Sequence, residues 1–331
     1  MGGKPSVPED QLPLERTFIV TGANTGIGYM TTKTIAQLGG RVIMACRSEQ
    51  KATDAIHRMK QETQEDFKGS KGSNGIPELN IQYMNLDLSS LESTINFARQ
   101  FKETGLLLHV LICNAGLLGP QKKALTDDGF ELHFQVNYLS HFLLTLLLLP
   151  LLKESAPNSR IVNVSSEGHK YSEVKLSNIQ GQKSYSVTKF YGNSKLFQIM
   201  NMYSLSRRLT GHDISVFSLH PGFVETDIFR TTSGVTKCCV DCWLVCASKD
   251  TSEGSKTSLI AALDEKYNGK TALYFKGGKP SGHSGLSRNE AKQEIIWRYS
   301  LQCLKEKLTD AILQEVGEKL DSIEPLDRSS S

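Results

Sequence analysis

No segment of this chain holds the ~18 consecutive apolar residues that a bilayer span needs. Neither sign of charge dominates: 38 Lys and Arg stand against 35 Asp and Glu, a formal net charge of +3. The first absence argues against an integral membrane protein. The longest apolar run, Phe142–Leu152, contains Thr145 and Pro150 and reads as part of a buried or interface helix. The second, with no basic stripe interleaved with aromatics, argues against nucleic acid as a partner. The start, MGGKPSVPEDQLPLER, lacks a secretory pattern. The seven cysteines are therefore expected as free thiols in a reducing, cytoplasmic compartment. A second metal-ligand pair is missing too. Cys238, Cys242 and Cys246 in CCVDCWLVC recur every four residues, one stripe of a helix, and a zinc site would need another pair some distance away, where only Cys303 and a lone His283 follow. No metal is expected.

Two short features nevertheless point toward a membrane surface. Met1-Gly2-Gly3-Lys4-Pro5-Ser6 fits the M-G-x-x-x-[ST] pattern for acylation at Gly2, whose alternative is a functionless leader. The Cys238–Cys246 stripe travels with Trp243, Leu244 and Val245, which suits either a buried apolar face or a membrane-touching edge.

What the chain does have is alternation. Short apolar runs at Thr17–Thr21, Arg41–Cys46, Ile81–Leu86, Leu107–Cys113, Arg160–Ser165, Ile214–Leu219 and Thr271–Phe275 read as about seven strands. Amphipathic segments separate them: Ile27–Leu38, Glu49–Thr63, Ser90–Lys102, a long helix from about Asp127 to Leu152, and one that begins in KSYSVTKFYGNSK (Lys183–Lys195). Such βα alternation predicts an α/β fold, a single doubly wound parallel sheet with helices on both faces. The organisation expected is a flexible leader over 1–15, one domain over 16–305, and a helix with a disordered tail over 306–331. Phe67–Pro77, FKGSKGSNGIP, is longer than a compact domain requires.

The first strand runs into Thr21-Gly22-Ala23-Asn24-Thr25-Gly26-Ile27-Gly28. Glycines between a strand and a helix let backbone approach a pyrophosphate, and the helix N-terminus offers amide donors and a positive dipole end. The spacing is G-x-x-x-G-x-G, so position after an apolar strand carries more weight than the pattern itself. At the end of the second strand, Cys46-Arg47-Ser48 offers an arginine and no acid until Glu49. Arginine there suits a 2′-phosphate, which predicts NADP(H); the plain alternative is a solvated surface charge. Asp87, after the third strand, is placed to accept from the adenine amino group or to cap the helix near Ser90.

With these residues in place the sequence resembles the short-chain dehydrogenase/reductase superfamily, and within it the retinol-dehydrogenase-like group, over roughly residues 15 to 305. TGANTGIG (Thr21–Gly28) looks like the family's cofactor loop. Cys113-Asn114-Ala115-Gly116 looks like its N-N-A-G element, with Cys113 in place of the first Asn. NVSS (Asn163–Ser166) resembles the strand that delivers a catalytic serine. HPGFVETD (His220–Asp227) resembles the P-G-x-V-x-T segment beside the nicotinamide, which would bring in Pro221, Gly222, Val224 and Thr226. The resemblance implies a Rossmann-type fold and hydride transfer between nicotinamide and a carbonyl or alcohol, with a tyrosine as acid/base. A free phenol titrates near ~10, and a neighbouring ammonium and the positive nicotinamide favour the phenolate. By the same resemblance Ser166 holds the reacting oxygen, the lysine also binds the nicotinamide ribose, and Asn137 in FQVNYLSHF supports a proton-relaying water. Asn137 also reads as a helix cap or kink, and Ser166 as a strand end.

Lys183–Lys195 contains two Y-x-x-x-K steps, Tyr185/Lys189 and Tyr191/Lys195. Lys195 precedes Pro221 by 26 positions, the family's usual interval, whereas Lys189 precedes it by 32. On a continuous helix Tyr185 would lie about 120° around the axis from Tyr191, so both cannot face one substrate. Tyr191 and Lys195 are the expected pair. Tyr185 is expected at the helix entrance or pocket rim, with Ser184 as N-cap. NIQGQK (Asn178–Lys183) resembles an extension of the retinol-dehydrogenase-like group. Phe223, Ile228, Phe229, Trp243 and Leu244 suggest a lipophilic alcohol, aldehyde or ketone as substrate. Pairing of the long apolar helix and the catalytic helix with a second copy would give a homodimer. Two rival readings are a catalytically silent NADP(H) sensor and a membrane-recruited interaction protein, and the intact Asn137, Ser166, Tyr191, Lys195 set argues against the sensor.

Overall fold

The computed structural model describes residues 6–8, 10–13, 15–68, 76–222 and 251–324. Gly2, residues 69–75 of the long loop, Phe223, Val224, Thr226, Ile228, Phe229 and the stretch with Cys238, Trp243, Leu244 and Cys246 lie outside them.

One sheet organises the chain. Its strands are β1 (Thr17–Thr21), β2 (Arg41–Cys46), β3 (Ile81–Asn85), β4 (Val110–Cys113), β5 (Ser159–Val164), β6 (Ile214–His220), β7 (Leu273–Lys276) and β8 (Lys279–Pro280). Their spatial order is β3-β2-β1-β4-β5-β6-β7-β8. Every pairing is parallel except the last, where β8 folds back antiparallel on β7. The sequence shows the seven parallel strands; β8, two residues after a pair of glycines, has no periodicity to reveal it.

Alternate residues of each strand feed opposite cores, as a pleated strand requires. Ile19, Ile43, Leu111, Ile161 and Val216 pack against α3 (Leu91–Glu103), α4 (Ser140–Glu154) and α5 (Val187–Arg208). Phe18, Val20, Val42, Val110, Val162 and Phe217 pack on the other face against α1 (Gly26–Gln37), α2 (Glu49–Phe67) and α6 (Thr251–Leu263). Burial on both faces is why these strands read as continuous apolar runs. Ser48 and Ser90 cap α2 and α3 by accepting from the amides of Lys51 and Ser93. Asp87 is therefore not the cap of α3.

The long apolar helix departs from expectation in two ways. It opens not at Asp127 but after Glu131, through a π-helical stretch over Phe134–Leu139 that contains Asn137. With α4 it makes a continuous helix, Phe134–Glu154, long and apolar enough by composition to cross a membrane. The unbroken apolar run Phe142–Leu152 is only the second half of this helix. Here it is a core helix: Phe142, Leu143, Leu144 and Leu146 to Leu149 are all buried.

The outer sides of α4 and α5 are covered by the chain's own C-terminal segment, α7 (Glu290–Leu304) and α8 (Asp310–Gln314). Phe142 meets Trp297 with ring centroids 4.9 Å apart, and the Tyr138 hydroxyl lies 2.8 Å from Ser300 Oγ. Leu308, Leu313, Val316 and Ile323 belong to the same core. Residue 305 is thus no structural boundary, and packing continues to Ile323, well into the 306–331 segment expected as a helix with a disordered tail.

Candidate active site

The parallel strands end along one edge of the sheet, and the order reverses between β1 and β4. Open α/β sheets bind ligands at such a point. Thr21, at the end of β1, ties the two halves together. Its Oγ1 accepts from the amides of Asn114 and Ala115, each at 2.9 Å, and stands 2.9 Å from His141 Nε2. With both lone pairs used, the hydroxyl proton goes to Nε2, so His141 carries its own proton on Nδ1, 3.2 Å from the Asn137 carbonyl. Burial pushes the His141 pKa down to about 3, which keeps this ring neutral.

Gly22 and Gly28 serve packing as much as ligand approach. Gly22 has φ +65°, and a Cβ there would stand 2.9 Å from Ala115 Cα. At Gly28 a Cβ would reach 2.4 Å from the Gly22 carbonyl oxygen and 2.5 Å from Asn114 Nδ2. That amide donates to the Thr21 carbonyl at 2.9 Å, so the Asn114 side chain stitches two loops. Ala23 and Asn24 lie over the buried Cys46 thiol, whose pKa burial pushes up to about 11. Thr25 stands at the N-cap of α1, Tyr29 N donates to its carbonyl at 3.2 Å, and the first-turn amides of Gly26, Ile27 and Gly28 have no acceptor within the helix. Arg47 is exposed at the end of β2, and its guanidinium makes no ion pair among the described residues. Asp87 Oδ1 accepts from Ser89 N and Oγ at 2.9 and 2.7 Å in a tight turn. A dinucleotide fits this edge.

The catalytic candidates meet between β4, β5 and α5. Lys195 is 3% exposed, and its Nζ donates to the Val164 carbonyl at 2.9 Å while lying 5.9 Å from the Tyr191 ring centroid. Burial pulls its pKa down to about 7. Burial raises the Tyr191 phenol, and a hydrogen bond with Ser166 pulls it the other way. A Cβ on Gly116 would stand 3.1 Å from Lys195 Nζ and 3.4 Å from Asn137 Oδ1, so a side chain there would press the lysine a few tenths of an ångström out of place. Asn137 is fully committed. Its Oδ1 accepts from Leu117 N at 2.8 Å, and its Nδ2 donates to Leu117 O and Ser194 Oγ, each at 3.0 Å. Its main-chain oxygen, freed by the π-helical turn, accepts from Gln198 Nε2 at 2.8 Å. The two serines of NVSS divide their work: buried Ser165 donates to the Lys195 carbonyl at 2.7 Å, while half-buried Ser166 faces Tyr191.

The second Y-x-x-x-K step comes apart. Helix α5 starts at Val187 with Ser186, not Ser184, at its N-cap, so Tyr185 precedes the helix and the 120° argument does not apply to it. Lys189 pairs with Glu173 at 2.7 Å, and the Tyr185 ring packs on Phe190 with centroids 4.9 Å apart. Burial raises the pKa of the Tyr185 phenol, and the nearby carboxylate of Glu131 adds to the rise.

Glu131 belongs to a group that no sequence spacing reveals. It is wholly buried, and it accepts from His133 Nδ1 at 2.7 Å and Phe134 N at 2.8 Å. His133 Nε2 accepts from Gly119 N at 2.8 Å, and its ring meets Tyr191 edge-on at 6.4 Å. Gly192 is equally silent in the sequence. A Cβ there would stand 2.7 Å from the Gly168 carbonyl oxygen, so glycine lets α5 close on the turn that follows Ser166. Pro221 and Gly222 continue the same edge beyond β6.

A family model described as short chain dehydrogenase matches residues 16–234. Mouse retinol dehydrogenase 12 is 37% identical over 298 residues, 87% of this chain and 86% of its own length. Human retinol dehydrogenase 11 is 39% identical across 89% and 87% of the two chains, and human polyprenol dehydrogenase 35% identical across 87% and 84%. Among solved structures, an uncharacterised protein from Mycobacterium paratuberculosis superposes with a TM-score of 0.67 at 28% identity, covering 90% of this chain and 96% of that one. NADPH-bound carbonyl reductase from chicken fatty liver shares the fold at a TM-score of 0.55 and 22% identity, across 81% and 99% of the chains. The chain belongs to the short-chain dehydrogenase family of oxidoreductases and, within it, to the retinol-dehydrogenase-like group.

Proposed function

We propose that this protein transfers a hydride between the nicotinamide of NADP(H) and a lipophilic alcohol or carbonyl, with Tyr191 as acid/base. The observation that carries the reading is the meeting of Ser166, Tyr191 and Lys195 beneath the side-chain-free Gly116. NADP(H), when bound, supplies or accepts the hydride. Thr25, Gly26, Ile27 and Gly28 would hold its pyrophosphate at the start of α1, Arg47 its 2′-phosphate, and Asp87 its adenine. Asn114, Ala115, Gly116, Lys195, Pro221 and Gly222 would line its nicotinamide half. Ser166 holds the reacting oxygen against the phenol, and Tyr191 gives or takes the proton there. The Lys195 ammonium beside the phenol favours the phenolate. Asn137 fixes Leu117, and with it the loop that passes Lys195.

Retinol and polyprenol, named in the relatives, are lipophilic alcohols, which agrees with the apolar Phe223, Phe229 and Trp243 of the sequence. A substrate of that kind resides in membranes, so a cytoplasmic enzyme recruited to a membrane surface through Gly2 or the Cys238–Cys246 stripe is the matching location.

The test is consumption of NADPH and NADH with retinal, a polyprenal, a steroid ketone and a long-chain aldehyde. Tyr191→Phe is expected to lose turnover by roughly 10²–10⁴-fold while still binding NADPH, and Tyr185→Phe to keep most of it. The reverse pattern overturns the choice of tyrosine, and a clear preference for NADH removes the role given to Arg47.

A further inference from the structure

Ser165, the residue after β5, still pairs with the sheet through its main-chain amide, which donates to the Leu219 carbonyl at 2.7 Å. Ser166 follows in extended conformation, beyond the ladder. Its carbonyl is held by His169, from the next turn of chain: Nδ1 of the ring lies 2.6 Å from Ser166 O, and the His169 amide 3.2 Å from the same oxygen. A carbonyl only accepts, so Nδ1 carries the proton. Nε2 faces the amide of Ser284 at 3.2 Å, and an amide N–H only donates, so Nε2 is bare. The two contacts select one neutral tautomer. Burial pushes the His169 pKa down and Lys170 and Lys276 act in the same direction, against the Ser166 bond and Glu167. The ring is 1% exposed and meets Tyr274 edge-on at 5.5 Å.

We propose that His169 is a positioning residue for the reaction: its Nδ1–H fixes the Ser166 carbonyl, and so the direction of the Ser166 hydroxyl toward Tyr191, with the Ser284 amide as the anchor of the ring. The proposal rests on the reading of Ser166 as the group that holds the reacting oxygen. The link matters because Ser166 has lost the support of the sheet. Its hydroxyl is fixed locally only by accepting from Gly168 N at 3.2 Å, and displacement of a catalytic group by about 1 Å costs about 10²-fold in rate.

Three variants separate positioning from mere packing. In His169→Asn the amide nitrogen can stand where Nδ1 stood, keeping the donor to Ser166 and losing Ser284. In His169→Gln the amide reaches the place of Nε2, keeping Ser284 and losing Ser166. His169→Phe keeps the ring and loses both. With NADPH and retinal, His169→Phe and His169→Gln are expected to lose about ten- to a hundredfold in kcat. His169→Asn is expected to recover most of that loss. NADPH Kd and Tm should be alike in the Asn and Gln variants, each serving as the folding control for the other. Equal rates in those two, or a faster Gln variant, overturn the proposal. A Tyr191→Phe protein that still turns over overturns the reading of the site itself, and so is told apart from a failure confined to His169. Independently of turnover, imidazole ¹⁵N shifts should show His169 protonated at Nδ1, and protonation at Nε2 overturns the proposal.

Discussion

Lys195 places an ammonium where water cannot reach it, donating to the Val164 carbonyl, and burial brings its pKa from the ordinary 10.5 to about 7. In the unfolded chain the same lysine titrates near its ordinary value. Between about pH 7 and 10.5 the unfolded state therefore binds more protons, and stability rises with pH across that window; the penalty is complete below pH 7. Lys195→Met should raise Tm by roughly 5 °C at pH 6.5, with a gain that shrinks toward pH 10, while abolishing turnover. Equal gains in melting scans at both pH values would contradict a buried charge as the cause. At this scale the sequence distinguished Tyr191 and Lys195 from their neighbours by distance along the chain to Pro221. It could not show Glu131, His133, His141 or His169. His133, His141 and His169 are tied to Gly119, Thr21 and Ser284 on other elements, and Glu131 is buried by the fold, and no spacing records either.

Helix α5 reaches its working position because the residue after Tyr191 has no side chain. A methyl at Gly192 would meet the Gly168 backbone oxygen at 2.7 Å and Ser172 Oγ at 2.8 Å, and a backbone atom cannot rotate aside. Gly192→Ala should therefore cost about 1–3 kcal/mol in denaturant unfolding and lower kcat more than NADPH affinity. An alanine protein with unchanged midpoint and rate would show that the contact yields freely. The same element explains why the two Y-x-x-x-K steps differ. Helical arithmetic assumed one continuous helix through both, whereas the helix begins only at Val187. The π-helical turn at Phe134–Leu139 was also invisible, since its cause is a set of bonds from Asn137 to Leu117, Ser194 and Gln198.

Over the whole molecule, the C-terminal segment closes the face on which a four-helix pairing with a second copy would form. Arg208 reaches Glu294 and Glu318, each at 2.8 Å, and its guanidinium lies 4.0 Å from the centroid of the Trp297 ring. Trp297, 1% exposed, sits at the middle of this cover, and its Nε1 donates to Glu318 at 3.1 Å. Trp297→Ala should cost about 3–5 kcal/mol in unfolding free energy. If α7 and α8 replace a partner, light scattering should find the parent monomeric and the variant prone to self-association; a stable parent dimer pairing through α4 and α5 would refute this.

The sequence by itself determined the sheet and marked the glycine-rich edge and the candidate tyrosine, because strand burial on two faces, glycines between strand and helix, and chain distance are all local or linear properties. Tertiary structure alone decided what surrounds them: the polar ties at Thr21, the buried Glu131–His133 pair, the hold of His169 on Ser166, and the self-covered outer face of α4 and α5. Some of those join distant residues and others, as Glu131 with His133, join near ones, but in each case burial makes the contact matter, and buried polar groups reveal their partners only when the chain has closed around them.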